Sequence, residues 1–249
     1  MTAKNEAGTI ASAILSILKQ TLDNFELIVV NDGSTDDTEQ ILNAFKDRRI
    51  RIVSNRINKG ISWSRNLAIT MAQGKYIAIF DADDVSAPNR LETQTVFLEM
   101  NPDVALCGSW GILKSATRNE LFKQPATYQE ILSSICKTNP IINSTVMARA
   151  RIFKNYLYNE SLARHEDYDL FLRLAQKEKI VNIEVPLVEF ETSDSFSYSV
   201  REHYWKTVVR LRAFFLYGYP IKVLFWILPS FIIPFIPYSL KVCLKRRLI

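Results

Sequence analysis

Short apolar runs alternate with amphipathic stretches from residue 9 to residue 80, and this alternation restricts the fold more than any other feature of the chain. Ile10, Ala13, Ile14, Ile17 and Leu18 fall on one stripe at helical spacing, so a helix is expected over 9–20. Residues 25–30 are a nearly continuous apolar run, the pattern of a strand covered on both faces. Asn31-Asp32-Gly33-Ser34-Thr35-Asp36 follows as a turn and helix start, and Ile41, Leu42 and Phe45 give the next helix its buried side. A strand is expected at 50–53, a helix at 62–72 with Trp63, Leu67 and Met71 inward, and a strand at 75–80. This order implies an α/β fold, a mostly parallel sheet flanked by helices. Pro88 suits the first position of a helix that reaches Met100. Beyond it the chain reads as a strand at 104–110, an extended piece near Leu121-Phe122, a helix at 128–136 and a strand at 144–148. A helix at 166–177, two short strands around Pro186 and a helix over about 199–216 complete the pattern.

A chain of 249 residues suits one α/β domain with an appendage. The net charge of +5 is unevenly spread: residues 201–249 carry +8 and residues 1–200 carry −3. A mildly acidic body argues against nucleic acid as a partner, and a basic, apolar tail suits an anionic membrane surface. Cys107, Cys136 and Cys243 form no pair motif and are read as reduced thiols. With only His165 and His203, a zinc site of the His/Cys type is not expected. Met1 to Glu6 contains no apolar segment of the kind a secretory signal requires.

Asp81-Ala82-Asp83-Asp84 stands directly after the 75–80 run. Neighbouring carboxylates repel, and a hard divalent cation carrying a diphosphate would neutralise them, since Mg²⁺ and Mn²⁺ bind through one or two carboxylates plus phosphate oxygens. A solvated acidic turn before a helix is the plain alternative. Asp32 also follows an apolar run, and a helix cap would explain it alone. Both signals sit at strand ends, where open parallel sheets bind ligands, so one nucleotide crevice accounts for them together. Asp32 would then accept from a base N–H, and Asp81 and Asp83 would hold the metal.

The motifs Asn5-Glu6, Asp32-Gly33-Ser34-Thr35-Asp36, Asn58-Lys59-Gly60, Ser64-Arg65-Asn66, Gly74-Lys75-Tyr76-Ile77, Asp81-Ala82-Asp83-Asp84, Pro88-Asn89-Arg90-Leu91-Glu92 and Glu166-Asp167 occur in this order. In them the chain resembles the family 2 glycosyltransferases of the GT-A fold over about residues 2–200. The resemblance implies an inverting transferase that takes a nucleotide-sugar donor and a divalent metal, Mn²⁺ or Mg²⁺. It places Asp32 at the uracil or thymine edge and Asn58 and Arg65 along the nucleotide pocket. Asp81, Ala82 and Asp83 match the DXD motif, with Asp81 and Asp83 as metal ligands. Ala3, Asn5 and Glu6 stand in the turn that closes the family's first strand. That strand is expected to be missing here, which leaves the pocket incomplete.

Glu166-Asp167 resembles the acidic pair that supplies the catalytic base, and Asp167 is assigned that role. Inversion by single displacement needs a carboxylate to take the proton of the attacking hydroxyl. Ordinary acid placement at a helix start is the alternative for this pair. Tyr198 and Ser199 fit a loop over the donor or a plain connector. No Gln-x-x-Arg-Trp motif is present, so transfer of a single sugar to a glycan or lipid-linked acceptor is expected. A nucleotidyltransferase of related fold, or an inactive membrane-bound remnant, are the other readings.

Residues 201–249 are expected to form a membrane-associating tail, separate from a 1–200 transferase domain. Residues 223–240 are uncharged but hold Pro229, Pro234 and Pro237, and Lys241, Lys245, Arg246 and Arg247 follow. An anchor lying on the cytoplasmic face of a membrane fits this better than a straight span.

Overall fold

The computed structural model describes residues 1–115, 118–191 and 200–227. Strands β1 (Thr2–Ala3), β2 (Leu27–Asn31) and β3 (Ile50–Ser54) form a parallel sheet in that order. Helix α1 (Ile10–Leu18) joins the first two, and α2 (Thr38–Ala44) joins the second and third. Helix α3 (Ile61–Met71) leads to β4 (Tyr76–Ala78), and a parallel bridge between Thr2 and Asp81 sets the chain after β4 beside β1. Crossover helices explain the parallel order, because parallel neighbours need a long connection.

The second half departs from that order. Strands β5 (Val85–Ser86), β6 (Val104–Lys114), β8 (Met147–Arg149) and β9 (Lys179–Glu191) join β4 in a sheet of order β4-β8-β6-β9-β5. Strand β7 (Asn119–Phe122) pairs with β6. Only β6 and β9 are parallel here, and the other pairs are antiparallel. The α/β architecture stands, with a mixed rather than mostly parallel sheet. The two short strands expected around Pro186 are one strand with a register slip, Ser109 pairing Ile183 and Trp110 pairing Pro186. Proline has no N–H for the ladder, so the strand bulges there instead of ending.

Helices α4 (Arg90–Met100), α5 (Tyr128–Ser134), α6 (Ala150–Asn155) and α7 (Glu166–Ala175) cover the sheet. The main core unites Ile69 of α3, Leu106 of β6, Phe153 of α6 and Phe171 of α7. Helices α8 (Val200–Tyr217) and α9 (Lys222–Phe225) belong to it too, since Val209, Ala213, Tyr219 and Val223 are buried in the same cluster. Residues 201–227 thus pack on the body, with Val209 and Ala213 of α8 set against the core. Residues 228–249, with most of the uncharged run and the terminal basic cluster, lie outside the described residues, as do Tyr198 and Ser199. No helix among the described residues is long and apolar enough to cross a membrane.

A cleft of about 680 Å³ separates β2 from β4, with Ile28 on one wall, Tyr76 and Ala78 on the other, and Ile69 and Leu91 against it from the helices. Thr2 and Ala3 do form a strand, but it closes only one end of this gap.

Candidate functional site

Because β1, β2 and the chain after β4 run parallel, their carboxyl ends open at one edge of the sheet. Ala3 is buried there, and its carbonyl accepts from the Asp32 N–H at 2.8 Å. Asn5 adopts a left-handed conformation and ties two turns together, its Oδ1 accepting from Thr35 N–H at 2.8 Å while its own N–H donates to Ser34 Oγ. Glu6 accepts from the Thr9 hydroxyl, and its carboxyl is raised by burial and by nearby Asp83, Asp36 and Asp81.

Asp32 is buried and receives N–H bonds from Lys59 at 2.8 Å and Gly60 at 2.9 Å and an amide bond from Asn55 at 2.9 Å. Burial alone would raise its pKa, but these donors hold it below the ordinary value. With the Ser64 hydroxyl as a fourth donor, these bonds fix Asp32 to the 55–60 loop and to α3. Asn58 is exposed on that loop and accepts from Gly60 N–H. The loop passes so close over Gly33 that a Cβ there would lie 2.7 Å from the Asn58 nitrogen, and Gly33 has φ of +68°. Only glycine fits both conditions.

The acidic cluster divides in two. Asp81 is half-buried and Asp83 exposed, with Ala82 buried between them, whereas Asp84 is buried. Desolvation, then the Asp81 charge, raises the Asp83 carboxyl. Burial, then Asp81, pushes Asp84 up to about 8, against a hydrogen bond from Ser144 and the charge of Arg90. Among the described residues no group of three or more His, Cys, Asp or Glu side chains is arranged to hold a metal. Two carboxylates with surplus negative charge nevertheless fit a cation that takes its remaining ligands from a diphosphate and water.

Arg65 of α3 is the link to the second acidic pair. It is buried, and its guanidinium bonds Asp81 Oδ1 at 2.7 Å and Glu166 Oε1 at 2.5 Å. Tyr158 lies under it, 5.3 Å from ring centre to guanidinium carbon. Asn66 next to it bonds the Tyr158 backbone and Glu160. These partners explain why α3 buries Ser62, Ser64, Arg65, Asn66 and Ile69 rather than the expected stripe of Trp63, Leu67 and Met71, which are only half-buried. Arg65 thus bridges the two acidic pairs and also lines the cleft between β2 and β4.

Asp167 begins α7 beside Glu166. Its Oδ2 accepts from the Asn139 amide at 2.8 Å, and its Oδ1 from the Tyr168 N–H at 2.7 Å. Burial and the Glu166 charge raise its pKa, which suits a base working near neutrality. His165 precedes it with φ of +59°, and its Nε2 lies 2.9 Å from Glu202 of α8. Burial lowers the imidazole to about 3, so it is neutral. Arg164 also pairs with Glu202. Asn139 and Glu202 were not singled out from sequence. The Asn139-Pro140 turn signal was there to find, whereas nothing local marks Glu202.

Known proteins resemble this chain. The family described as "Glycosyl transferase family 2" matches residues 1–157. An uncharacterized glycosyltransferase of Haemophilus influenzae is 32% identical over 215 residues, which cover 81% of this chain and 67% of that protein. The Escherichia coli UDP-Glc:alpha-D-GlcNAc-diphosphoundecaprenol beta-1,3-glucosyltransferase WfaP is 33% identical over 175 residues, 70% of this chain and 68% of that one. Among solved structures, S. aureus TarS 1-349 in complex with UDP has a TM-score of 0.67 at 18% identity, covering 84% of this chain and 63% of TarS 1-349. The Pyrobaculum calidifontis mannosyltransferase PcManGT, in complex with GDP-Man and Mn²⁺, also scores 0.67, at 15% identity over 86% of this chain and 62% of that one. At such identities the two structures establish the fold, which is GT-A. By the match over residues 1–157 and its relatives, the chain belongs to glycosyl transferase family 2, a family of transferases.

Proposed function

We propose that this protein moves a single sugar from a UDP-linked donor to a hydroxyl of a glycan or lipid-linked acceptor, with inversion, at the cytoplasmic face of a membrane. The observation that carries the reading is the meeting of two carboxylate pairs across one buried arginine. Asp81 and Asp83 stand on the donor side, Glu166 and Asp167 on the acceptor side, and Arg65 bonds one member of each.

Each residue then has a task. Asp32, fixed by the 55–60 loop at the end of β2, stands where the base is received. Asp81 and Asp83 would hold a Mn²⁺ or Mg²⁺ ion, which when bound stabilises the charge of the leaving diphosphate. Asp167, oriented by Asn139, takes the acceptor proton as the hydroxyl attacks the anomeric carbon. Arg65 holds Glu166 in place beside Asp167, whose carboxyl is raised by burial and by the Glu166 charge. The UDP complex of TarS supports the choice of donor, and the lipid-linked substrate in WfaP's name supports the choice of acceptor. PcManGT carries GDP-Man, so dTDP- and GDP-sugars belong in the assay as competitors.

The test measures nucleotide release from UDP-, dTDP- and GDP-sugars, with diphosphoprenol-linked N-acetylglucosamine as acceptor. Product configuration is read by NMR. Release of UDP with a β-linked product from an α-linked donor is expected. An α-linked product, or release from none of the donors, contradicts the proposal.

A further inference from the structure

Four of the most exposed large apolar side chains in the described residues lie close together in sequence at one place, the elbow between α8 and α9. Phe215 is 71% exposed, Leu216 63%, Ile221 64% and Phe225 71%. Gly218, with φ of +72°, makes the turn between the two helices. The elbow is firmly held from behind, because Tyr219 and Val223 are buried in the main core and Arg210 bonds the Trp226 carbonyl at 2.6 Å. A rigid backbone therefore presents these apolar groups outward. Soluble surfaces seldom gather large apolar groups in this way without a partner.

Charge indicates which partner. Lys222 lies on α9, and the Lys137 ammonium sits 5.2 Å over the Trp226 ring. Glu202 is the one acidic residue from position 201 onward, and it is buried at the other end of α8, against Arg164 and His165. The uncharged run 223–240 starts inside the elbow and leads to Lys241, Lys245, Arg246 and Arg247. Asp169, which reaches Tyr217 and Arg212 from α7, is fully buried, so the exposed aromatic and aliphatic groups are rimmed by lysine and match the boundary between head groups and acyl chains of an anionic bilayer.

We infer that the α8–α9 elbow is a docking face for an anionic lipid bilayer, with Phe215, Leu216, Ile221 and Phe225 entering the interface. The inference deepens the membrane reading proposed above and rests on it. It also orients the site, because α8 runs from the Glu202 contact beside Asp167 to Phe215, roughly 20 Å of helix. The acidic pair would stand within that distance of the membrane, in reach of a lipid-linked acceptor.

Flotation of the full chain with phosphatidylcholine vesicles, with and without phosphatidylglycerol, tests the inference. The comparison is a Phe215→Glu, Phe225→Glu double variant, whose substitutions fall at exposed positions and leave the core intact. Far-ultraviolet circular dichroism and UDP titration of the same variant check the fold and the donor site separately. Binding that needs phosphatidylglycerol and falls about ten-fold or more in the variant is the expected result. Unchanged flotation of the variant overturns it. So does sedimentation showing a dimer that the variant dissolves while the wild type ignores vesicles, because the face would then belong to a second copy. A failure to bind UDP leaves the vesicle result standing, so the two readings fail separately.

Discussion

Arg65 carries the charge balance of the site. Two carboxylates share its guanidinium inside the protein, and removing it would leave Glu166 buried without a cation. Arg65→Met is expected to lower stability by about 3–5 kcal/mol, the usual effect of breaking one side of a buried pair; chemical denaturation measures it. Asp167→Asn should behave oppositely, keeping fold and donor binding while transfer drops by on the order of 10²–10⁴-fold. Near-normal turnover in that variant would place the base elsewhere. Asp84 gives a pH signature. Its folded pKa of about 8 lies far above the unfolded value of 3.8, so the native state holds a proton that the unfolded state releases between those limits. The contribution is therefore present at acid pH and is lost as pH rises toward 8. Melting of Asp84→Asn against wild type at pH 5 and pH 8.5 should show the variant gaining ground at the higher pH. A constant difference would mean that Asp84 ionises normally. At this scale the sequence made Asp32, Asp81, Asp83 and Asp167 legible, because acids after apolar runs or at helix starts are local signals. The partners that tune them were not legible: Arg65 meets Glu166 across 101 positions, and Asn139 meets Asp167 only after folding.

Elements were readable where an apolar stripe decided their packing, as in α1 and α7, and α4 was marked by the proline before it. Helix α3 misled for a physical reason. Its inward face is polar because it serves the site, so hydrophobic periodicity pointed to the wrong side. The mixed half of the sheet was hidden for another reason: pairing direction there depends on long-range neighbours, and β4 and β8 are three residues each. The turn after β2 supports a direct test. Gly33→Ala forces a side chain into a left-handed backbone, costing roughly 1–2 kcal/mol before any clash with the 55–60 loop. Weaker UDP binding together with a lower melting temperature is expected, and unchanged values for both would show that the loop moves aside freely. The gap between β2 and β4 invites a second test. Met1 lies at its inner end, its amine donating to the Ile28 carbonyl at 2.9 Å and lowered by burial to about 5. About five apolar, β-branched residues joined ahead of Met1 would run roughly 16 Å along β2, with an amide N–H in place of that amine. The extended chain should melt higher than one carrying a Gly/Ser extension of equal length. Equal melting would show that the gap does not seat a strand.

The whole molecule is one body through residue 227, with the acidic pair of α7 braced by α8. Asp169 of α7 holds Arg173, Arg212 and the Tyr217 hydroxyl, so the helix that carries Asp167 is fastened to the helix that leads to the exposed elbow. The charge asymmetry was legible from composition, but the depth to which the basic segment enters the core was not, since Val209 and Val223 look like any tail residues until α7 is in place. Cutting the chain after residue 227 removes four basic residues and no acid while sparing Tyr219 and Val223. The shortened protein should keep its fold and UDP affinity and bind phosphatidylglycerol vesicles less tightly. The most direct measurement on the donor site is a calorimetric titration of UDP with and without Mn²⁺, on the wild type and on Asp83→Ala. The predicted result is binding that requires the metal in the wild type and is lost in the variant, with the fold unchanged by circular dichroism. Metal-dependent affinity of the same strength in Asp83→Ala, or UDP binding indifferent to chelation of the metal, would contradict the placement of the donor at the ends of β1, β2 and β4.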